Sequence, residues 1–123
     1  MVKFWFAVGS LMAGLGVAAG AFGAHGLKQR LPADLLLIFE TAVRYQIYHA
    51  FGLIAVAFAI DRWPGGNFHW AGWLLLLGIV LFSGSLYALC LTGIRMLGAI
   101  TPFGGLCFLA GWALLAWGAW NNR

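Results

Sequence analysis

From Phe4 to Leu27 the chain runs without a Lys, Arg, Asp or Glu. That run exceeds the roughly 20 apolar residues that carry a helix across the hydrocarbon core of a bilayer. Three more apolar stretches follow, Leu35 to Ile60, His69 to Thr92 and Met96 to Trp120. Turn chemistry separates them: Pro32, then Pro64-Gly65-Gly66-Asn67, then Gly93-Ile94-Arg95. With 8% charged residues against 63% hydrophobic, the chain cannot clothe a soluble fold, whose charged share is about 25%. The expectation is an all-α membrane protein: one four-helix antiparallel transmembrane bundle over residues 1–123, with both termini on the same side. Lys3 and Ala19-Gly20-Ala21 imitate a signal peptide and its cleavage site. The apolar run continues past that site, so an uncleaved first helix is expected.

The seven basic and three acidic residues leave a net charge of +4, spread as membrane flank charge and too sparse for a nucleic-acid surface. Cys90 and Cys107 lie in apolar runs and read as small hydrophobes. The three histidines are scattered, which gives no metal-ligand spacing. No nucleophile–base set, phosphate loop or nucleotide fingerprint is present, so neither an enzyme nor a cofactor is expected. The basic residues do not fix orientation. Lys3, Arg62 and Arg123 stand on one side and Lys28, Arg30 and Arg95 on the other.

One stretch stands out from this apolar background, Phe39 to His49. At 100° per residue, Glu40, Arg44 and Tyr48 share one helix face, widened by Thr41, Tyr45 and His49. Phe39, Val43, Ile47 and Ala50 take the opposite side. An ionised side chain near mid-bilayer costs roughly 2.5–3.5 kcal/mol, which predicts that the polar face turns toward other helices. In the antiparallel topology His25, Glu40, Arg44, Tyr87, Arg95 and Thr101 all fall in the membrane half nearest the first and third loops. Trp5, Trp63, Trp70, Trp73, Trp117 and Trp120 fall in the other half, as an aromatic belt would.

Each of these residues has a plain structural reading beside a functional one. Glu40 and Arg44, one turn apart, form an ion pair or a binding site. His49 passes a proton or is held by a tyrosine or serine. His25 caps the first helix and approaches Glu40, while His69 is interfacial. Ser83 and Ser85 face the polar helix or bond to their own carbonyls. Thr101-Pro102 kinks the fourth helix. Rows of small residues (Gly9-Ala13, Gly16-Gly20-Ala24 and Gly14-Ala18 on the first helix; Gly104, Gly111 and Gly118 on the fourth) exceed what one bundle needs. They suggest packing against a second copy or another membrane protein.

Four blocks carry a resemblance: Ala21-Phe22-Gly23-Ala24-His25-Gly26-Leu27, Tyr45-Gln46 with Tyr48-His49-Ala50, Phe82-Ser83-Gly84-Ser85-Leu86-Tyr87, and Thr101-Pro102-Phe103-Gly104-Gly105 with Gly111-Trp112. Together they resemble the bacterial inner-membrane family called domain of unknown function 423, to which the small vertebrate transmembrane protein 256 is similar. The resemblance implies four membrane helices and a bacterial cytoplasmic-membrane location, and brings no activity or catalytic residue with it. Two functional expectations follow. In the first, His25, Glu40, Arg44, Tyr45, Tyr48, His49, Ser83, Ser85, Tyr87 and Thr101 line one polar cavity that binds a small polar or anionic ligand or handles protons. In the second, the cluster is structural and the chain is a non-catalytic assembly subunit whose partners are membrane lipids and other membrane proteins.

Overall fold

The computed structural model describes Met1–Asn122. Arg123, one of the basic residues weighed for orientation, lies outside the described residues. Within them the chain forms four apolar helices long enough to cross a membrane: α1 (Val2–Leu27), α2 (Ala33–Arg62), α3 (His69–Thr92) and α4 (Arg95–Asn121). The all-α, four-helix expectation holds. Two helices contain wider π-helical turns, Gly23–Leu27 at the end of α1 and Ile79–Gly84 in the middle of α3. Before its α-helical part, Thr101–Asn121, α4 opens with a 3₁₀ turn, Arg95–Ala99. Pro102 falls in the first turn of that helix, where no N–H is needed. It starts the helix instead of kinking it.

The order of packing follows the order of the chain. α1 lies along α2, α2 along α3 and α3 along α4, so α2 and α3 are the inner helices. Small residues set the two outer contacts. On α1, Gly9, Gly16, Gly20 and Gly23 receive Ile54, Ile47, Val43 and Phe39 of α2. On α4, Gly104, Gly111 and Gly118 receive Phe82, Leu75 and Phe68 of the α3 side. These two rows are used inside the bundle, which corrects the expectation for them, whereas the Gly14-Ala18 row of α1 stays exposed and exceeds the bundle's needs. Only Gly14 on α1 and Gly105 on α4 face open space within these rows and their neighbours.

Trp5 is also placed differently from the expectation. It is fully buried, packs on Gly72 and Trp73, and its Nε1 donates to His69 Nδ1 at 3.3 Å. Trp5 therefore pins α1 to the start of α3, and His69 is its acceptor instead of an interfacial ornament. Trp70, Trp73, Trp117 and Trp120 remain exposed at that end, in the manner of a belt. At the opposite end Gly93 turns the chain with φ 75° and donates its N–H to Leu89 O at 2.8 Å. That left-handed residue is the common glycine stop of a helix. Next to it Arg95 Nη2 donates to Asp34 Oδ2 at 2.8 Å, tying the start of α4 to the start of α2.

A pair of substitutions tests this packing. A Cβ at position 104 would stand 2.5 Å from Phe82 N and 2.9 Å from the Leu81 carbonyl carbon, backbone atoms that cannot rotate away. Gly104→Leu should lower stability by on the order of 1–3 kcal/mol or more, whereas Gly105→Leu should leave thermal unfolding in detergent close to wild type. Equal melting of the two variants would contradict the notch.

Candidate functional site

The inner face of α2 carries Phe39, Ala42, Val43, Gln46, His49, Ala50 and Leu53, all buried. Gln46 is the amide among these apolar neighbours, and it links three helices. Its Nε2 donates to Met12 O of α1 at 2.9 Å, and its Oε1 accepts from Tyr87 Oη of α3 at 2.7 Å. A ladder of small donors runs beside it. Ser83 Oγ donates to Ala42 O at 2.7 Å, and Cys90 Sγ to Leu35 O at 3.1 Å. Ser85 Oγ donates to Phe82 O at 2.9 Å and meets Thr101 Oγ1 at 2.9 Å, which joins α3 to α4. Among the described residues no buried side-chain nitrogen or oxygen lacks a partner. A recess of about 400 Å³ between α1 and α3 is lined in part by Gln46, Ser83 and Tyr87. Their hydrogen bonds are committed to the protein, so the recess offers a polar ligand little to bind.

The sequence-predicted residues therefore separate into three groups. Ser83 and Tyr87 bond to α2, and Ser85 meets Thr101 of α4, as interior joints on two sides of α3. Glu40, Arg44, Tyr45 and Tyr48 are exposed on the outside of α2, and His25 is exposed at the end of α1. His49 makes the third group, buried against α4. The single polar cavity does not form, and the polar face turns outward instead of inward. Glu40 and Arg44 are not an ion pair either, since the one salt bridge among the described residues is Arg95 with Asp34. The physical reason is shape. Ile54, Ile47, Val43 and Phe39 fit the glycine notches of α1, and that fit fixes the rotation of α2 and leaves the charged side outside.

Glu40 and Arg44 instead border an outer groove of about 270 Å³, shared with Gly20, Gly23 and Ala24 of α1. On the far edge of α2, His49 lies flat on Phe108, with ring centroids 3.4 Å apart and planes 7° apart, and near Trp112 at 5.9 Å. Its Nδ1 contacts Tyr45 O at 2.6 Å. No group of three His, Cys, Asp or Glu comes together among the described residues to hold a metal ion.

Sequence reasoning passed over Gln46, Asp34, Phe108 and Trp112. Gln46 had a visible signal, because it continues the buried stripe from Phe39 to Leu53 at seven-residue spacing. The others are brought in only by tertiary packing. The Gln46–Tyr87 joint predicts strong non-additivity. Gln46→Leu and Tyr87→Phe should each cost about 1–3 kcal/mol by orphaning the other's polar atom. The double variant should cost clearly less than the sum, as measured by denaturant unfolding in micelles; strict additivity would count against the bond.

The family described as Protein of unknown function (DUF423) matches residues 19–105. A UPF0382 membrane protein of Staphylococcus haemolyticus is 52% identical over 93% of this chain and 93% of its own. The UPF0382 membrane protein YwdK of Bacillus subtilis is 49% identical, covering 93% of this chain and 94% of its own. No solved structure matches. Four membrane-crossing helices and such relatives make the chain a multi-pass protein of the bacterial cytoplasmic membrane, and it belongs to the uncharacterised DUF423 family of membrane proteins.

Proposed function

We propose that the chain is a small non-catalytic subunit that docks against another membrane protein through the outward stripe Glu40, Arg44 and Tyr48 of α2. The direction of that stripe carries the reading: all three side chains are exposed. At 1.5 Å per residue α2 is roughly 45 Å long, against about 30 Å of hydrocarbon. Centred on the bilayer, Glu40 would lie ~4 Å and Arg44 ~10 Å inside the hydrocarbon boundary. Arg44 reaches partway back to the interface by its length, but Tyr48 sits another turn deeper. A neighbouring helix with complementary polar groups would cover this stripe once per turn. The groove beside it, floored by Gly20, Gly23 and Ala24, gives such a helix a place for a side chain.

The competing reading of one shared polar cavity needs free hydrogen-bond capacity at its serines, threonine and tyrosine, and Ser83, Ser85, Tyr87 and Thr101 are already bonded within the protein. The subunit reading is tested with a photoreactive phenylalanine analogue at Tyr48 and, as a control, at Leu11 on the exposed side of α1. In native membranes, position 48 should give one protein adduct of defined mass, and Glu40→Gln with Arg44→Gln should suppress it severalfold. The purified double variant should melt like wild type. Adducts to lipid alone, or an adduct indifferent to both charges, would overturn the proposal.

A further inference from the structure

On the other flank of α2, facing α4, lies a slot of about 420 Å³ lined chiefly by Tyr45, His49, Phe82, Gly105, Phe108 and Trp112. It shares none of the three residues of the docking stripe, so it stands or falls independently of it. His49 is only 6% exposed. A carbonyl oxygen accepts hydrogen bonds and does not donate them, so the 2.6 Å contact with Tyr45 O places the imidazole hydrogen on Nδ1. Nε2 is left as an acceptor, and it makes no hydrogen bond to the described residues. Nε2 is not among the fully buried, unpartnered nitrogens, and His49 lines the slot.

The surroundings define what could meet that nitrogen. His49 lies ~2 Å from the midpoint of α2 at 1.5 Å per residue, so the slot opens at mid-bilayer. Leu106 and Leu109, which also line it, are 63% and 69% exposed and face hydrocarbon there. Water is not available at that depth to satisfy an acceptor. A partner must dissolve in lipid and bring its own donor. One face of the imidazole is covered by Phe108, and Trp112 and Tyr45 add aromatic walls that favour a flat ring. The volume falls within the usual range for a small-molecule site, roughly 300–1,000 Å³. Gly105 keeps it open, since a Cβ there would meet nothing within 4 Å.

The geometry points to a binding site for a lipid-dissolved phenol-class compound, its ring among Tyr45, Phe82 and Trp112 and its hydroxyl donating to His49 Nε2. The test uses 4-octylphenol, with octylbenzene as the isostere that lacks the donor, on protein in lipid nanodiscs labelled with nitrogen-15 histidine. Of the three histidines, only the Nε2 resonance of His49, assigned by its loss in His49→Phe, should shift. The shift should saturate with 4-octylphenol, at least tenfold tighter than any effect of octylbenzene. Gly105→Leu fills the slot while leaving His49 in place, and should abolish the shift without lowering the melting temperature. A non-saturating shift, equal responses to the two compounds, or full binding by Gly105→Leu would each overturn the site. The last two readouts hold even if His49→Phe fails to fold.

Discussion

In lipid, an apolar side chain gains little by leaving the hydrocarbon for the surface of another helix, so close backbone approach must supply much of the association energy. This bundle concentrates that approach at two glycine rows. Gly9, Gly16, Gly20 and Gly23 admit the branched and aromatic side chains of α2, and Gly104, Gly111 and Gly118 admit those of the α3 side. The consequence reaches beyond adhesion. Once Ile47 and Val43 sit in notches of α1, the rotation of α2 about its axis is fixed, and with it the direction of every polar group the helix carries. The π-helical turn Ile79–Gly84 belongs to the same economy of space. It lies where α4 comes closest, with Gly104 against the backbone of Phe82.

Polar chemistry is then divided by side. Inside, Gln46, Ser83, Ser85, Tyr87 and Thr101 bond to one another or to carbonyls of neighbouring helices; Gln46 to Met12 and Ser85 to Thr101 reinforce the two glycine-packed contacts, and Ser83 to Ala42 and Tyr87 to Gln46 join the two inner helices. A buried amide without these partners would be costly, which makes the network a check on register more than a source of adhesion. Outside, Glu40, Arg44 and Tyr48 have no such partners among the described residues. The subunit reading rests on that asymmetry. Among the described residues every buried side-chain nitrogen and oxygen has a partner, while the charged stripe of α2 stays exposed; the proposed docking partner would cover that stripe.

The four crossings were legible from the length of the apolar runs and the turn residues between them, even though the second run carries Glu40 and Arg44, and the placing of Tyr87 and Thr101 near the first and third loops was legible too. Antiparallel topology dictates that placing whatever the packing details. The rotation of α2 was not legible, because cost-of-burial reasoning and small-residue packing gave opposite answers for Glu40 and Arg44, and packing decided. Trp5 shows the same limit. Its position near the chain start matches an interfacial belt, but Gly72 opposite it makes a pocket that only the fold reveals. Asp34 and Arg95, far apart in sequence, meet because two helix starts meet. No local pattern announces such a pair. Gln46 was the one missed residue with a readable cue, a polar side chain standing in a seven-residue apolar stripe.

The outward rotation of α2 can be measured directly by nitroxide scanning of residues 39–51, in protein carrying Cys90→Ala and Cys107→Ala and reconstituted at low density in liposomes. Collision with lipid-dissolved oxygen should peak at positions 40, 44, 48 and 51 and fall to minima at 39, 42, 46 and 50, with helical periodicity. The opposite phase, with minima at 40, 44 and 48, would place the charged face inside the bundle and contradict the account.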